Sequence, residues 1–308
     1  MTHGIRHGVR IGSLLLVAQL LLYVWLQLRP GASAVIPYLV GPKLLAIAAG
    51  VTFCAALWRS ARKTSRTLLL VFEASACILT VTISMTAYRE YPSSHDGRPA
   101  STCFQLPLDG EIVVQHGGKA LAENYHAAFP PQRYAYDMSV LRNGRTYQRE
   151  GYMAWDYHVY GQPVRSPSAG RVVRIADGDP DQNPSAEEPL GFKNAGGNHV
   201  VVEVNPGLFM FVGHFQPGTI RVRQGDRVAT GDILALAGNS GRSSAPHVHL
   251  HLQDSPEGNR GEGVPLEFCE YEVRSLHETQ YRHIGRGAPS GGVNKQVIRS
   301  SARSRSTP

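Results

Sequence analysis

The sequence of 308 residues predicts a mostly β outer domain, an antiparallel sheet core, preceded by an N-terminal bundle of three transmembrane α-helices. Three observations carry that reading. Residues 1–88 hold three long apolar runs, residues 103–278 hold short β-branched and aromatic runs separated by Gly, Pro and Asn, and the stretch PHVHLHL at 246–252 alternates histidine with apolar residues. The boundaries that follow are a membrane domain over 1–88, a linker over 89–102, the outer domain over 103–278 and a basic tail over 279–308.

The first apolar run, 11–28, carries no charge; 35–58 carries only Lys43 and 68–88 only Glu73. About 20 residues at ~1.5 Å rise cross a bilayer, so each run suits one span. The first has an alternative reading as a cleaved secretory signal, because Arg6 and Arg10 precede it and Ala32-Ser33-Ala34 resembles a cleavage site. Pro37 and Pro42 in the second span are tolerated in membrane helices. The connector RSARKTSR, 59–66, carries Arg59, Arg62, Lys63 and Arg66 with no acid, whereas the preceding connector has Arg29 alone. The excess of basic residues places the 59–66 connector in the cytoplasm, and the chain after Tyr88 therefore lies outside the cell membrane.

Charge divides the chain in the same way. Residues 1–88 hold eight basic residues and one acid, residues 279–308 hold six basic residues and none, and the whole chain carries +7, which leaves −6 for the region between. An acidic body argues against nucleic acid as a partner. The tail is rich in Gly, Ser and Arg and reads as disordered, with weak attraction to anionic lipid or wall polymers. Cys54 and Cys77 lie within apolar spans as free thiols, while Cys103 and Cys269 stand near the two ends of the outer domain, where an oxidising compartment would allow one disulfide.

Strand-like runs in the outer domain are EIVVQ (111–115), YAYDMSVL (134–141), GRVVRIA (170–176), HVVVEV (199–204), LFMFVGHF (208–215), DILALAG (232–238) and HVHLHL (247–252). Residues 177–197, with three prolines and four glycines among many polar residues, read as a long surface loop bordering a groove. On a strand, His247, His249 and His251 share one face while Val248 and Leu250 turn to the core. Same-face neighbours stand roughly 6.8 Å apart, so at most two of the three histidines can hold one metal ion.

The runs GQPVRSPSAGRVVRI, GNHVVVEV, FVGHFQPGTIRVRQGDRVATGDILALAGNSG and PHVHLHL, in that order and closing with GVPLEF, resemble the lysostaphin-type zinc endopeptidases of peptidase family M23 over roughly 132–268. The resemblance implies zinc held by Asp137 and His249, with His214 and His247 flanking the attacking water. It further implies peptide cross-links of bacterial peptidoglycan as the substrate. Zinc with three protein ligands keeps an open position, acidifies water and polarises a carbonyl; one imidazole then takes a proton while the other supports the developing oxyanion. His247 is assigned the base role and His214 the stabilising one, with exchange as the alternative. The family's usual first ligand falls at Arg133, and a guanidinium cannot coordinate a cation. His126 is the preferred substitute and His116 the second; the plain alternative for His126 is a loop hydrogen bond. His158 is read as groove-lining or surface, and His199 as structural or exposed.

The reading is therefore a membrane-anchored zinc metalloendopeptidase, multi-pass, with an extracytoplasmic C-terminal domain, and with the lipid bilayer and the wall peptide as partners. Its alternative is a non-catalytic relative that binds the wall or activates a separate amidase. A biotinyl or lipoyl carrier is suggested by GRVVRI with VRQGDRVATGDILALAG, but neither Lys119 nor Lys193 lies in a carrier-like turn.

Overall fold

The computed structural model describes residues 3–60, 67–185, 190–258 and 260–301, and these form two compact units divided after Ser94. In the first unit, helix α1 (His3–Gln27) leads through a 3-10 turn (Gly31–Ala34) to α2 (Val35–Ser60) and α3 (Thr67–Thr86). Gly41 of α2 lets the helices approach, since a Cβ there would stand 2.7 Å from Leu22 of α1. Glu73 is buried and lies against Gly12 of α1. Large apolar side chains such as Leu14, Leu21, Leu44, Ile47, Val51 and Phe72 face outward, a surface suited to an apolar environment.

The three expected helices form, but the expectation of three spans is corrected. Among the described residues only Gly31–Trp58 is both long and apolar enough to cross a membrane. The apolar parts of its neighbours, Ile11–Gln27 and Val71–Thr86, are shorter, and at ~1.5 Å per residue reach roughly 24–26 Å of a hydrocarbon layer about 30 Å thick. The basic connector at 61–66 lies outside the described residues.

In the second unit the strands are β1 (Ile112–His116), β2 (Tyr136–Val140), β3 (Pro163–Arg165), β4 (Gly170–Ala176), β5 (Asn198–Asn205), β6 (Leu208–Phe215), β7 (Arg227–Val228), β8 (Ile233–Leu236), β9 (Val248–Gln253), β10 (Gly263–Val264), β11 (Phe268–Ser275), β12 (Arg282–Gly287) and β13 (Gln296–Ser300). Among the described residues eleven of them make one sheet, in the order β12-β11-β13-β1-β2-β9-β6-β5-β4-β7 with β10 beside β9, and β3 pairs with β8 apart from it. Every strand ladder is antiparallel. The period of two sorts the side chains: Val114, Met138, Val248, Leu250, Met210, Val212, Val200 and Val202 enter one core with Phe104, Val164, Leu234 and Phe268. The opposite face, which carries Asp137, His249, His251 and Phe211, is also buried.

The tail expected to be disordered over 279–308 is corrected as well. Residues 282–287 and 296–300 form β12 and β13, and β13 lies between β11 and β1, with Ile112 opposite Ile298. Val297 and Ile298 are fully buried; two adjacent apolar residues serve both faces of a strand, a signal too short to stand out in a polar segment. Residues 302–308 lie outside the described residues.

Cys103 and Cys269 form a disulfide with Cα atoms 5.3 Å apart across 166 positions. Phe104 and Phe268 beside them are bridged, and both are fully buried, so the bond fastens the start of the unit to β11. Closing a loop of this length restricts the unfolded chain strongly. Replacing both cysteines by serine is expected to lower the unfolding free energy of the outer unit by about 2–5 kcal/mol, read as a fall in its thermal midpoint of about 2–4 °C per kcal/mol.

Candidate metal centre

Strand register assembles the centre. Asp137 of β2 lies opposite His249 of β9, and His249 lies opposite Gly213 of β6. Directly opposed residues on one sheet face have Cβ atoms about 4.5–5.5 Å apart, so two side chains 112 positions apart become neighbours, with His249 Nδ1 2.8 Å from Asp137 Oδ1.

His126 arrives on a 3-10 turn, Tyr125–Ala128, that closes over β2. Asn124 builds this turn: its Oδ1 accepts from the His126 N–H, and its Nδ2 donates to the carbonyls of Gly118, Arg133 and Ala135. The result places His126 Nε2 3.0 Å from Asp137 Oδ2. Arg133, at the position four before Asp137, is buried and donates from Nη1 to Ala127 O at 3.2 Å. It therefore braces the turn that carries His126.

His214 reaches the centre by breaking the strand period. Phe209, Phe211 and Gly213 of β6 oppose Gln253, His251 and His249, so simple alternation would turn His214 to the core face. Its backbone instead adopts φ +63°, a left-handed conformation costly for a residue with a Cβ. The ring is thereby re-aimed, and its centroid stands 4.6 Å from that of His247 and 5.8 Å from that of His249. Gly196 O accepts from His214 N, Gly238 N donates to His214 O, and Nδ1 donates to Ser240 O at 2.7 Å. Close approach of the flanking loops needs glycine at Gly197 and Gly241, where φ is positive and a Cβ would fall 2.3 Å from the opposite loop's backbone.

His247 Nδ1 donates to Ala245 O at 2.8 Å, which leaves its Nε2 as a bare acceptor, buried without a hydrogen-bond partner and 3.5 Å from Asp137 Oδ1. Both flanking rings thus spend Nδ1–H on a backbone carbonyl and turn Nε2 inward.

Electrostatics follow from this crowding. Burial alone would push the Asp137 carboxyl up, but the His126 and His247 imidazoles hold it well below the ordinary carboxylate range. Burial, then the neighbouring His247 and His249, keep His214 well below the ordinary histidine value. Burial also lowers His249, to about 3, with the Asp137 carboxylate pulling the other way. For His247, burial is the largest single influence and pulls down, but the Asp137 carboxylate and the Ala245 carbonyl together outweigh it and leave the ring raised.

The donor set fits zinc. His126, Asp137 and His249 each offer one ligand atom, all within 4.8 Å of one another, and His214, His247 and His249 form a second such group. Ligands of tetrahedral zinc stand about 3.4 Å apart, so the 2.8 and 3.0 Å separations need only small side-chain adjustments. The unpartnered His247 Nε2 faces the same space.

Residues 152–262 match the model of Peptidase family M23. Endolysin 2638A of Staphylococcus phage 2638A is 34% identical over 101 residues, 30% of this chain and 20% of that protein. Glycyl-glycine endopeptidase ALE-1 of Staphylococcus capitis is 29% identical over 115 residues, 36% of this chain and 26% of that protein. The chain thus spans about a fifth to a quarter of the length of these curated relatives. The solved catalytic domain of the antimicrobial peptidase lysostaphin from Staphylococcus simulans is 19% identical, with 49% of this chain and 86% of that chain covered and a TM-score of 0.31.

The M23 match includes His214, His247 and His249, whereas Asp137 and His126 lie before it. All five residues singled out from the sequence are brought together. His116, the second substitute ligand, is outside both groups: its ring packs 4.7 Å from Tyr125 and 6.5 Å from His126. His199 donates to Gly197 O and stacks on Phe211; His158 lies in the 147–158 loop, where its backbone N–H donates to Thr146 O. Two residues escaped the sequence reading: Asn124, whose signal is its place as cap of a short turn, and Gln253, which continues the face of His247, His249 and His251 by one more step of two.

Left-handed backbone at His214 predicts an inverted substitution pattern. In an ordinary strand Ala is more stable than Gly; here His214→Gly is expected to be more stable than His214→Ala by about 1 kcal/mol, as measured by thermal or denaturant unfolding, with both losing whatever activity the ring supports.

Proposed function

We propose that the chain is a membrane-anchored zinc metalloendopeptidase that hydrolyses peptide cross-links of bacterial peptidoglycan. The observation that carries this reading is the convergence of a buried carboxylate, two adjacent imidazoles and two inward-facing imidazole acceptors at one point of an M23-type sheet. Zinc would be held by His126, Asp137 and His249. When bound, it supplies Lewis-acid polarisation of a carbonyl and water acidified towards pH ~7.

The chain's own groups supply the rest. His247 Nε2 takes the proton of the attacking water, and the Asp137 charge 3.5 Å away favours the imidazolium that forms. That proton is then available to the leaving amine. His214, fixed through Nδ1 on Ser240 O, occupies the flank where the oxyanion develops. Burial of all five side chains excludes competing water beneath the substrate. Helix α2 is the anchor, and a cell-wall substrate calls for the outer unit on the extracytoplasmic side. Peptidoglycan peptide is the substrate class because the relatives include an endolysin and a glycyl-glycine endopeptidase. The second reading, a non-catalytic wall-binding or amidase-activating module, draws on Arg133 in place of a ligand.

Metal analysis separates the two. The purified chain is expected to hold one zinc ion and to cleave wall peptide, with His249→Ala and His126→Ala each weakening zinc by more than about 100-fold, beyond the typical effect of losing a supporting partner. Unchanged zinc in His126→Ala rejects that ligand; a metal-free, inactive chain that still binds wall material establishes the second reading.

A further inference from the structure

Beyond the ligand atoms, the alternating face of β9 continues as a chain of hydrogen bonds. His249 Nε2 lies 2.9 Å from His251 Nδ1, and His251 Nε2 lies 2.9 Å from Gln253 Oε1. Gln253 Nε2 donates to Ser255 O at 2.5 Å, with Glu257 O further off at 3.4 Å. All three side chains are buried, and Phe211 stacks on the His251 ring, 4.9 Å away and 15° from parallel, which fixes its plane.

The direction of this chain follows from its far end. An amide nitrogen can only donate and a carbonyl can only accept, so the Ser255 carbonyl, with Glu257 behind it, orients the Gln253 amide with Oε1 towards His251. Oε1 accepts, hence His251 carries its proton on Nε2 and keeps a lone pair on Nδ1. That lone pair accepts from His249, hence His249 carries its proton on Nε2. Its Nδ1 is then a bare acceptor aimed at the Asp137 oxygen, another acceptor, 2.8 Å away. Two facing lone pairs at that distance repel, and a cation between them turns the repulsion into coordination.

We propose that His251 and Gln253 are positioning residues whose hydrogen-bond polarity presents the Nδ1 lone pair of His249 to a divalent cation shared with Asp137. The inference rests on the zinc reading above and adds to it a directional relay that begins at a backbone carbonyl in the loop after β9. The relay touches neither substrate nor metal. It acts through His249, and an aromatic ring without nitrogen cannot replace it, whereas an amide with one acceptor and one donor can.

Zinc affinity of the full chain, measured by competition with a chromophoric chelator, tests this. His251→Phe is expected to bind zinc about 10–100-fold more weakly, while His251→Gln, which can accept from His249 and donate to Gln253, stays within about threefold of the parent. Nitrogen-15 NMR of the zinc-loaded chain is expected to show His251 protonated on Nε2 and bare on Nδ1. Parent-like affinity in a folded His251→Phe, equal weakening in His251→Phe and His251→Gln, or the opposite His251 tautomer each overturns the relay. If His251→Phe does not fold, Gln253→Leu takes its place: weakened zinc binding supports the relay, and parent-like binding overturns it. Failure of the parent chain to take up zinc removes the metalloendopeptidase reading and this inference together; zinc uptake with an indifferent His251 removes this inference alone.

Discussion

A carboxylate buried at Asp137 is the constraint around which the outer unit is arranged. An ionised group removed from water is costly unless partners surround it. Here those partners come from three separate places: the turn at Tyr125–Ala128, strand β9, and the loop entering that strand. The β2–β9 register that sets Asp137 against His249 cannot slip by one residue, because a slip would turn Val248 and Leu250 out of the core and the imidazoles into it. Fold specificity and ligand geometry are thus the same requirement.

Around that pair the chain departs from regularity where the centre needs it. His214 stands in a left-handed conformation inside a strand, and Arg133 holds the turn that presents His126. Such departures persist because neighbouring bonds over-determine them: His214 is tied through its amide, its carbonyl and its ring. The same pattern of anchoring on main-chain carbonyls sets the protonated nitrogen of His247, and through Gln253 that of His249 and His251. Ring polarity of His214, His247, His249 and His251 is thus set from backbone carbonyls rather than by other titrating groups.

Much of this was legible in the sequence. All seven strand-like runs became strands, since they are rich in β-branched and other apolar residues and are separated by Gly, Pro and Asn. The convergence of the five candidate residues was legible through motif resemblance and, for His126, through elimination of Arg133. The rest depends on pairing over long distances. β12 and β13 hold few apolar residues and take their order from partners elsewhere in the chain, so composition alone suggested disorder. The turn of His214 towards the centre arises from a backbone angle that no local pattern encodes, and the shortness of two apolar helices emerges only when their charged and polar ends are set against a bilayer's thickness.

The last described strand carries a consequence for the opposite flank of the sheet. With β13 in place, β1 is paired on both sides. A chain clipped ahead of Gln296 would leave the outer rim of β1 as a row of open amide and carbonyl groups, an invitation to the extended segment of some other molecule. Strand β13, Gln296–Ser300, is therefore better understood as a guard against unwanted strand exchange than as a loose appendage.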